Sequence, residues 1–136
     1  MNLPKSLICK RALVAAFSLL LLSAMASTVV AEVYTKGRLT SNSPISRVLR
    51  PGCFFHRHTV TLHAGVTYTI DLRSTDFDAY LILTDDDGGV LARDDDSGGG
   101  LDARIVFRAP YTGEYEIYAT TFSEGARGNY TLLVRP

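Results

Sequence analysis

The carboxylates of this chain come in bunches. Asp76 and Asp78 flank Phe77, Asp85 to Asp87 precede Gly88-Gly89, and Asp94, Asp95 and Asp96 lead through Ser97 into Gly98-Gly99-Gly100, with Asp102 just beyond. Calcium is the chemistry such residues serve, because it takes about six to eight oxygens from carboxylates and carbonyls in a flexible cage. Neither familiar local pattern is present. The helix-loop-helix calcium loop needs alternating acids, a glycine at its sixth position and a closing glutamate. The glycine-rich repeat signature is missed because Leu101 stands where a glycine is required. Aspartate and glycine also make turns, since Asp bonds its own backbone and Gly accepts positive φ. On that ground Asp85 to Gly89 reads as a hairpin turn. Residues 94–102 read as a loop whose three consecutive charges call for an offsetting cation. The candidate metal ligands are therefore Asp76, Asp78, Asp94, Asp95, Asp96 and Asp102, with calcium as the ion.

Other chemistry is poorly represented. His56 and His58 lie two apart, in phase with Val60 and Leu62, so they point toward the core or its rim. A zinc site needs three or four converging nitrogen or sulfur ligands. Neither a Gly-x-Ser-x-Gly elbow nor a His-Glu-x-x-His helix occurs, and Cys53 near His56 is only a neighbour in sequence. The chain reads as a non-enzyme.

The elements that must position these groups are strands. In VTLHAGVTYTIDL, Val60 and Leu62 alternate before an Ala64-Gly65 turn, and Val66, Tyr68, Ile70 and Leu72 alternate after it, which predicts a hairpin. Ile105, Phe107 and Ala109 share one face, as do Tyr115, Ile117 and Ala119, and Tyr130, Leu132 and Val134. Residues 79–85 form a continuous apolar strand, 90–94 a short one and 33–39 the first. Gly113 is expected in a turn before a core strand, with Tyr115 buried. Residues 41–52 have no period and read as a loop. About eight short strands without helical periodicity predict an all-β fold, an antiparallel β-sandwich of jelly-roll-like form.

Residues 1–31 read as a secretory signal peptide: Lys5, Lys10 and Arg11, then a run without charge from Ala12 to Ala31, with small residues at cleavage spacing. The domain is then 32–136, and the location is secreted, periplasmic or at the cell envelope. Membrane contact is expected only if the segment stays uncleaved. Cleavage takes the basic residues from 14 to 11 against 14 acidic, so the net charge falls from zero to −3. The basic residues are scattered, which argues against nucleic acid as partner. Cys9 leaves with the signal, and Cys53 reads as a small buried hydrophobe beside Phe54 and Phe55.

The segments LHAGVTYTIDLRSTDFDAYLILTD, GVLARDDDSGG, ARIVFRAPYTGEYEIYAT and GNYTLLV together resemble the bacterial pre-peptidase C-terminal domain, in order and in spacing. The resemblance implies an exported β-sandwich that usually rides on a secreted protease, in an accessory role without peptidase activity of its own. Some relatives bind calcium near their N-terminal segment, but residues 32–53 do not align well enough to carry those ligands over. The expected function is an accessory module engaging an extracellular protein or polysaccharide. The alternative is a structural or chaperone-like domain stabilising a separately encoded secreted enzyme.

Overall fold

The structure, a computed structural model, describes residues 30–136. The expected signal segment lies outside the described residues except for its last two. Among the described residues there is no helix, hence none long and apolar enough to cross a membrane. Eight strands form: β1 (Val33–Leu39), β2 (Phe55–Leu62), β3 (Thr67–Arg73), β4 (Ala79–Asp85), β5 (Val90–Asp94), β6 (Ala103–Arg108), β7 (Gly113–Thr121) and β8 (Gly128–Arg135).

The strands divide into two four-stranded antiparallel sheets, ordered β1-β8-β3-β6 and β2-β7-β4-β5. The pairing has one logic. β1 pairs with β8, β2 with β7, β3 with β6 and β4 with β5, so the first half of the chain runs alongside the second half in reverse. Further pairings of β3 with β8 and β4 with β7 join this folded strip into sheets. This is a jelly roll, and its tip is the β4–β5 turn.

That logic corrects one expectation. β2 and β3 alternate as predicted but are not a hairpin, because they lie in opposite sheets. The turn at Ala64-Gly65 carries the chain across the edge of the sandwich, where Gly65 N donates to Ala109 O at 2.8 Å. Alternation shows that each strand buries one face; it cannot show which partner lies alongside. Of the eight strands, only β4 and β5 are consecutive and paired. Their turn is the acidic one, with Gly88 at φ 84° and Gly89 N donating to Asp85 Oδ1 at 2.6 Å.

The inward faces meet in one core that includes Leu62, Tyr68, Ile70, Leu72, Leu81, Leu83, Tyr115, Ile117 and Leu132. Cys53 is buried and free. Tyr115 is fully buried, and its hydroxyl donates to Tyr111 O at 2.9 Å, which pins the corner leading into β7. Such a tyrosine corner recurs in β-sandwiches. Gly113 is the first residue of β7, with no positive φ, rather than a turn residue. The tyrosine hydrogen bond shapes this corner instead.

Candidate functional site

The loop from Asp95 to Asp102 carries the chain from β5 in one sheet to β6 in the other. Gly99 and Gly100 adopt φ of 98° and 61°. Gly98 N donates to Asp102 O at 2.9 Å, and a Cβ on Gly98 would lie 2.7 Å from that same carbonyl oxygen, so no larger residue fits. Leu101 O accepts from Ala79 N at 3.0 Å, which docks the loop against the start of β4.

The six candidate aspartates are divided by this geometry. Asp94 Oδ2 accepts from Ser97 N at 3.0 Å and Arg104 N at 2.8 Å. Asp102 Oδ1 accepts from Ser74 N at 3.2 Å, and Asp76 Oδ2 from Asn129 N at 2.7 Å. These three carboxylates hold loop backbone in place. Asp95 and Asp96 lie within reach of Asp78 for their charges to act on it. Burial and then the charges of Asp95 and Asp96 push the Asp78 carboxyl above its ordinary range, with Arg50 opposing, and Asp78 Oδ1 is buried without a hydrogen-bond partner. Among the described residues no group of three or more His, Cys, Asp or Glu side chains is arranged to hold a metal ion. The six aspartates are thus not a ready calcium cage. An ion at Asp78 would have to draw most of its oxygens from elsewhere.

The two histidines face inward as their phase predicts, and they share a partner across the sandwich. His56 Nδ1 lies 2.8 Å and His58 Nε2 2.9 Å from the Tyr130 hydroxyl on β8. Ser43 Oγ is 3.2 Å from His56 Nε2 and extends the chain outward. One hydroxyl proton means that Tyr130 donates to one imidazole and accepts from the other. Burial pushes the Tyr130 phenol up to about 12, and burial with the charge of His56 holds His58 below its ordinary value. Gly37 is paired with Tyr130 in the register, and any side chain there would collide with the ring.

Two further features lie outside the candidate aspartates and histidines. Asp71 points away from the core yet is only 1% exposed, because arginines cover it. Arg104 Nε donates to its Oδ1 at 2.6 Å, while Arg135 Nη2 lies 3.0 Å and Arg73 Nη2 3.8 Å from its Oδ2 without hydrogen-bond alignment. The cross-strand register of Arg104 and Asp71 is the signal that would have found this cage, and it requires knowing that β3 pairs with β6. The second feature is aromatic. On the outer face of the β2-β7-β4-β5 sheet, Phe55 and Tyr118 have ring centroids 5.5 Å apart, and Tyr80 and Phe122 6.4 Å. Arg50 lies 4.1 Å over Tyr80 and 4.8 Å over Phe122. Pro44, Phe55, Arg57 and Tyr118 line a cleft of about 620 Å³.

Fold and surface together define a jelly-roll β-sandwich with open clefts on its outer faces. The bacterial pre-peptidase C-terminal domain model matches residues 54–121, half of the chain, and the chain belongs to that family. Among solved structures, a pre-peptidase C-terminal domain of collagenase from Bacillus anthracis aligns with a TM-score of 0.58 at 17% identity, covering 76% of this chain and 89% of that one. At that identity the likeness speaks for the fold. No curated protein matches the chain. The family is a non-catalytic accessory domain of secreted peptidases.

Proposed function

We propose that this chain works outside the cytoplasm as a non-catalytic binding module, engaging an extracellular partner through the outer face of its β2-β7-β4-β5 sheet. The observation that carries the reading is the aromatic row there. Phe122 is 46% exposed, and its neighbours Tyr80, Tyr118 and Phe55 are half-buried. Exposed aromatic side chains grouped on a rigid sheet suit recognition, because they offer contact area at low entropic cost. Family membership supports the export and the accessory role. The test is capture by the purified protein from the medium of its own culture, with and without calcium. Tyr118→Ala with Phe122→Ala should abolish capture while leaving the fold intact by circular dichroism. Undiminished capture would remove this face from the reading, and capture of a secreted enzyme whose stability then rises would favour the stabilising-domain alternative.

Calcium enters this reading only at Asp78, Asp95 and Asp96, where a cation would relieve carboxylate repulsion. The unpartnered Asp78 Oδ1 supports that assignment. Melting with millimolar calcium and with chelator, for the wild type and for Asp95→Asn with Asp96→Asn, tests it. A calcium-dependent rise in Tm lost in the double variant is the expected result.

A further inference from the structure

The basic residues look scattered along the sequence, but the fold gathers several of them on one face. On β1, Tyr34, Lys36 and Arg38 point away from the core, since Gly37 and Leu39 face inward. In register, Lys36 pairs with Thr131 of β8, and Thr131 pairs on its other side with Arg73 of β3. Arg104 on β6 and Arg135 on β8 stand on the same outer face, around Asp71. Asp71 is a single negative charge under three arginines, so the cage leaves a positive surplus beside Lys36 and Arg38. Asp102 borders this face and Asp76 shares a cleft with Arg38, while most other acids lie in loops or at strand ends, and Glu114 and Glu116 stand on β7 of the other sheet. A chain with more acidic than basic residues after cleavage therefore carries one distinctly positive face.

This face also has a shape. Lys36, Arg73, Ser74, Asp102, Asn129 and Thr131 are among the residues that line an open cleft of about 510 Å³. Asp102 is already engaged by Ser74 N. Two cations thus stand on either side of a floor of hydroxyl and amide groups, and Tyr34, 59% exposed, adds a ring on the same face. We propose that the outer face of the β1-β8-β3-β6 sheet binds an acidic polysaccharide, with Lys36 and Arg73 pairing to its anionic groups. Ser74 Oγ is engaged by Asn129 O, Asp76 N and Phe77 N, so the Asn129 side chain and Thr131 are the groups left to match sugar hydroxyls, which a purely ionic partner would not need. The cations give the orientation and the attraction. Tyr34 and Val106 are exposed on this face, on its two opposite edge strands, and a membrane surface would call for more apolar side chains than these beside the cations.

The inference rests on the binding-module reading but uses the opposite sheet, so the two can fail separately. Purified protein is titrated with polygalacturonate, and with neutral dextran, poly-glutamate, duplex DNA and anionic phospholipid vesicles at equal charge. Polygalacturonate should bind, and binding should weaken as salt rises. Lys36→Gln with Arg73→Gln should lower its affinity by about tenfold. Because Arg73 also neighbours Asp71, Lys36→Gln with Arg38→Gln, neither of which is paired with Asp71, serves as the second variant and should weaken binding in the same direction with Tm unchanged. Absence of polygalacturonate binding, or binding indifferent to both pairs, overturns the proposal. Equal or tighter binding of poly-glutamate, DNA or vesicles overturns the glycan assignment in favour of that partner. If polygalacturonate binding fails while Tyr118→Ala with Phe122→Ala still abolishes capture in the culture assay, only the present inference falls.

Discussion

The Tyr130 hydroxyl between His56 and His58 gives the protein a pH signature. His58 is held below its ordinary value of 6.5, first by burial and then by His56. The unfolded chain then binds more protons at mildly acid pH, so stability falls as pH drops below about 6.5 and the loss is complete below the folded value. Tm should decline between about pH 7.5 and pH 5, and His58→Gln should flatten that decline. Parallel profiles for the two proteins would remove His58 as its cause. Asp78 has the opposite sign. Its carboxyl is raised by burial, then by Asp95 and Asp96. The stability that protonation contributes is present at low pH and lost as pH rises through the raised value. Asp78→Asn should therefore leave Tm at pH 7 equal or higher, and a clear fall would show that its charge is satisfied. Tyr115 is the steric counterpart: Tyr115→Ala should cost about 3–5 kcal/mol in denaturant unfolding, as removal of a buried ring does. Tyr115→Phe should cost only about 1 kcal/mol, for the bond to Tyr111 O. An unchanged midpoint for the alanine variant would contradict the burial of β7.

At the scale of elements, two glycines carry the predictions, for different reasons. Gly98 sits against the backbone carbonyl of Asp102, which cannot yield as a side chain can. Gly98→Ala should cost about 1–3 kcal/mol and should loosen residues 95–102, seen as faster amide exchange there. Gly37 makes room for the Tyr130 ring on the neighbouring strand. Gly37→Ala should displace that ring, lower Tm and weaken the acid sensitivity assigned to His58; retention of the full pH profile would show that the ring moves without leaving the histidines. The strands themselves were legible: residues 33–39 and 90–94 have the bounds that the residue types suggest, and residues 85–89 are the hairpin turn they resemble. The Ala64-Gly65 turn was legible as a turn and misleading as a hairpin. A short turn between alternating arms looks alike whether the arms pair or diverge into two sheets.

For the whole molecule, segregation of charge is the property with the widest consequences. Apart from Asp71, the acids lie mostly in loops, at strand ends and on β7, and the outer face of the β1-β8-β3-β6 sheet holds Lys36, Arg38, Arg73, Arg104 and Arg135. A molecule with its charges placed in this way orients before it docks, and its association slows as salt rises. Export, as proposed above, is tested at the same scale. Intact mass of the exported protein should place the N-terminus at Glu32 or Ser27, and a full-length product held in the membrane fraction would replace cleavage with anchoring.

The sequence by itself determined the class of fold, because a period of two marks a buried strand face wherever its partner lies, and turn residues mark where each strand ends. It also determined the inward phase of His56, His58, Tyr115 and Tyr130, which follows from the same alternation. Only the tertiary structure decided which strands are neighbours. Through that it decided that Asp71 is buried under three arginines, that Tyr130 joins two histidines from the opposite sheet, and that Asp76, Asp94 and Asp102 hold backbone while the charges of Asp95 and Asp96 act on Asp78. The physical reason is the pairing of the chain's first half with its second half in reverse. It sets side by side residues such as Lys36 and Thr131, or Asp71 and Arg104, that are far apart along the chain. Nothing local to either residue records the other.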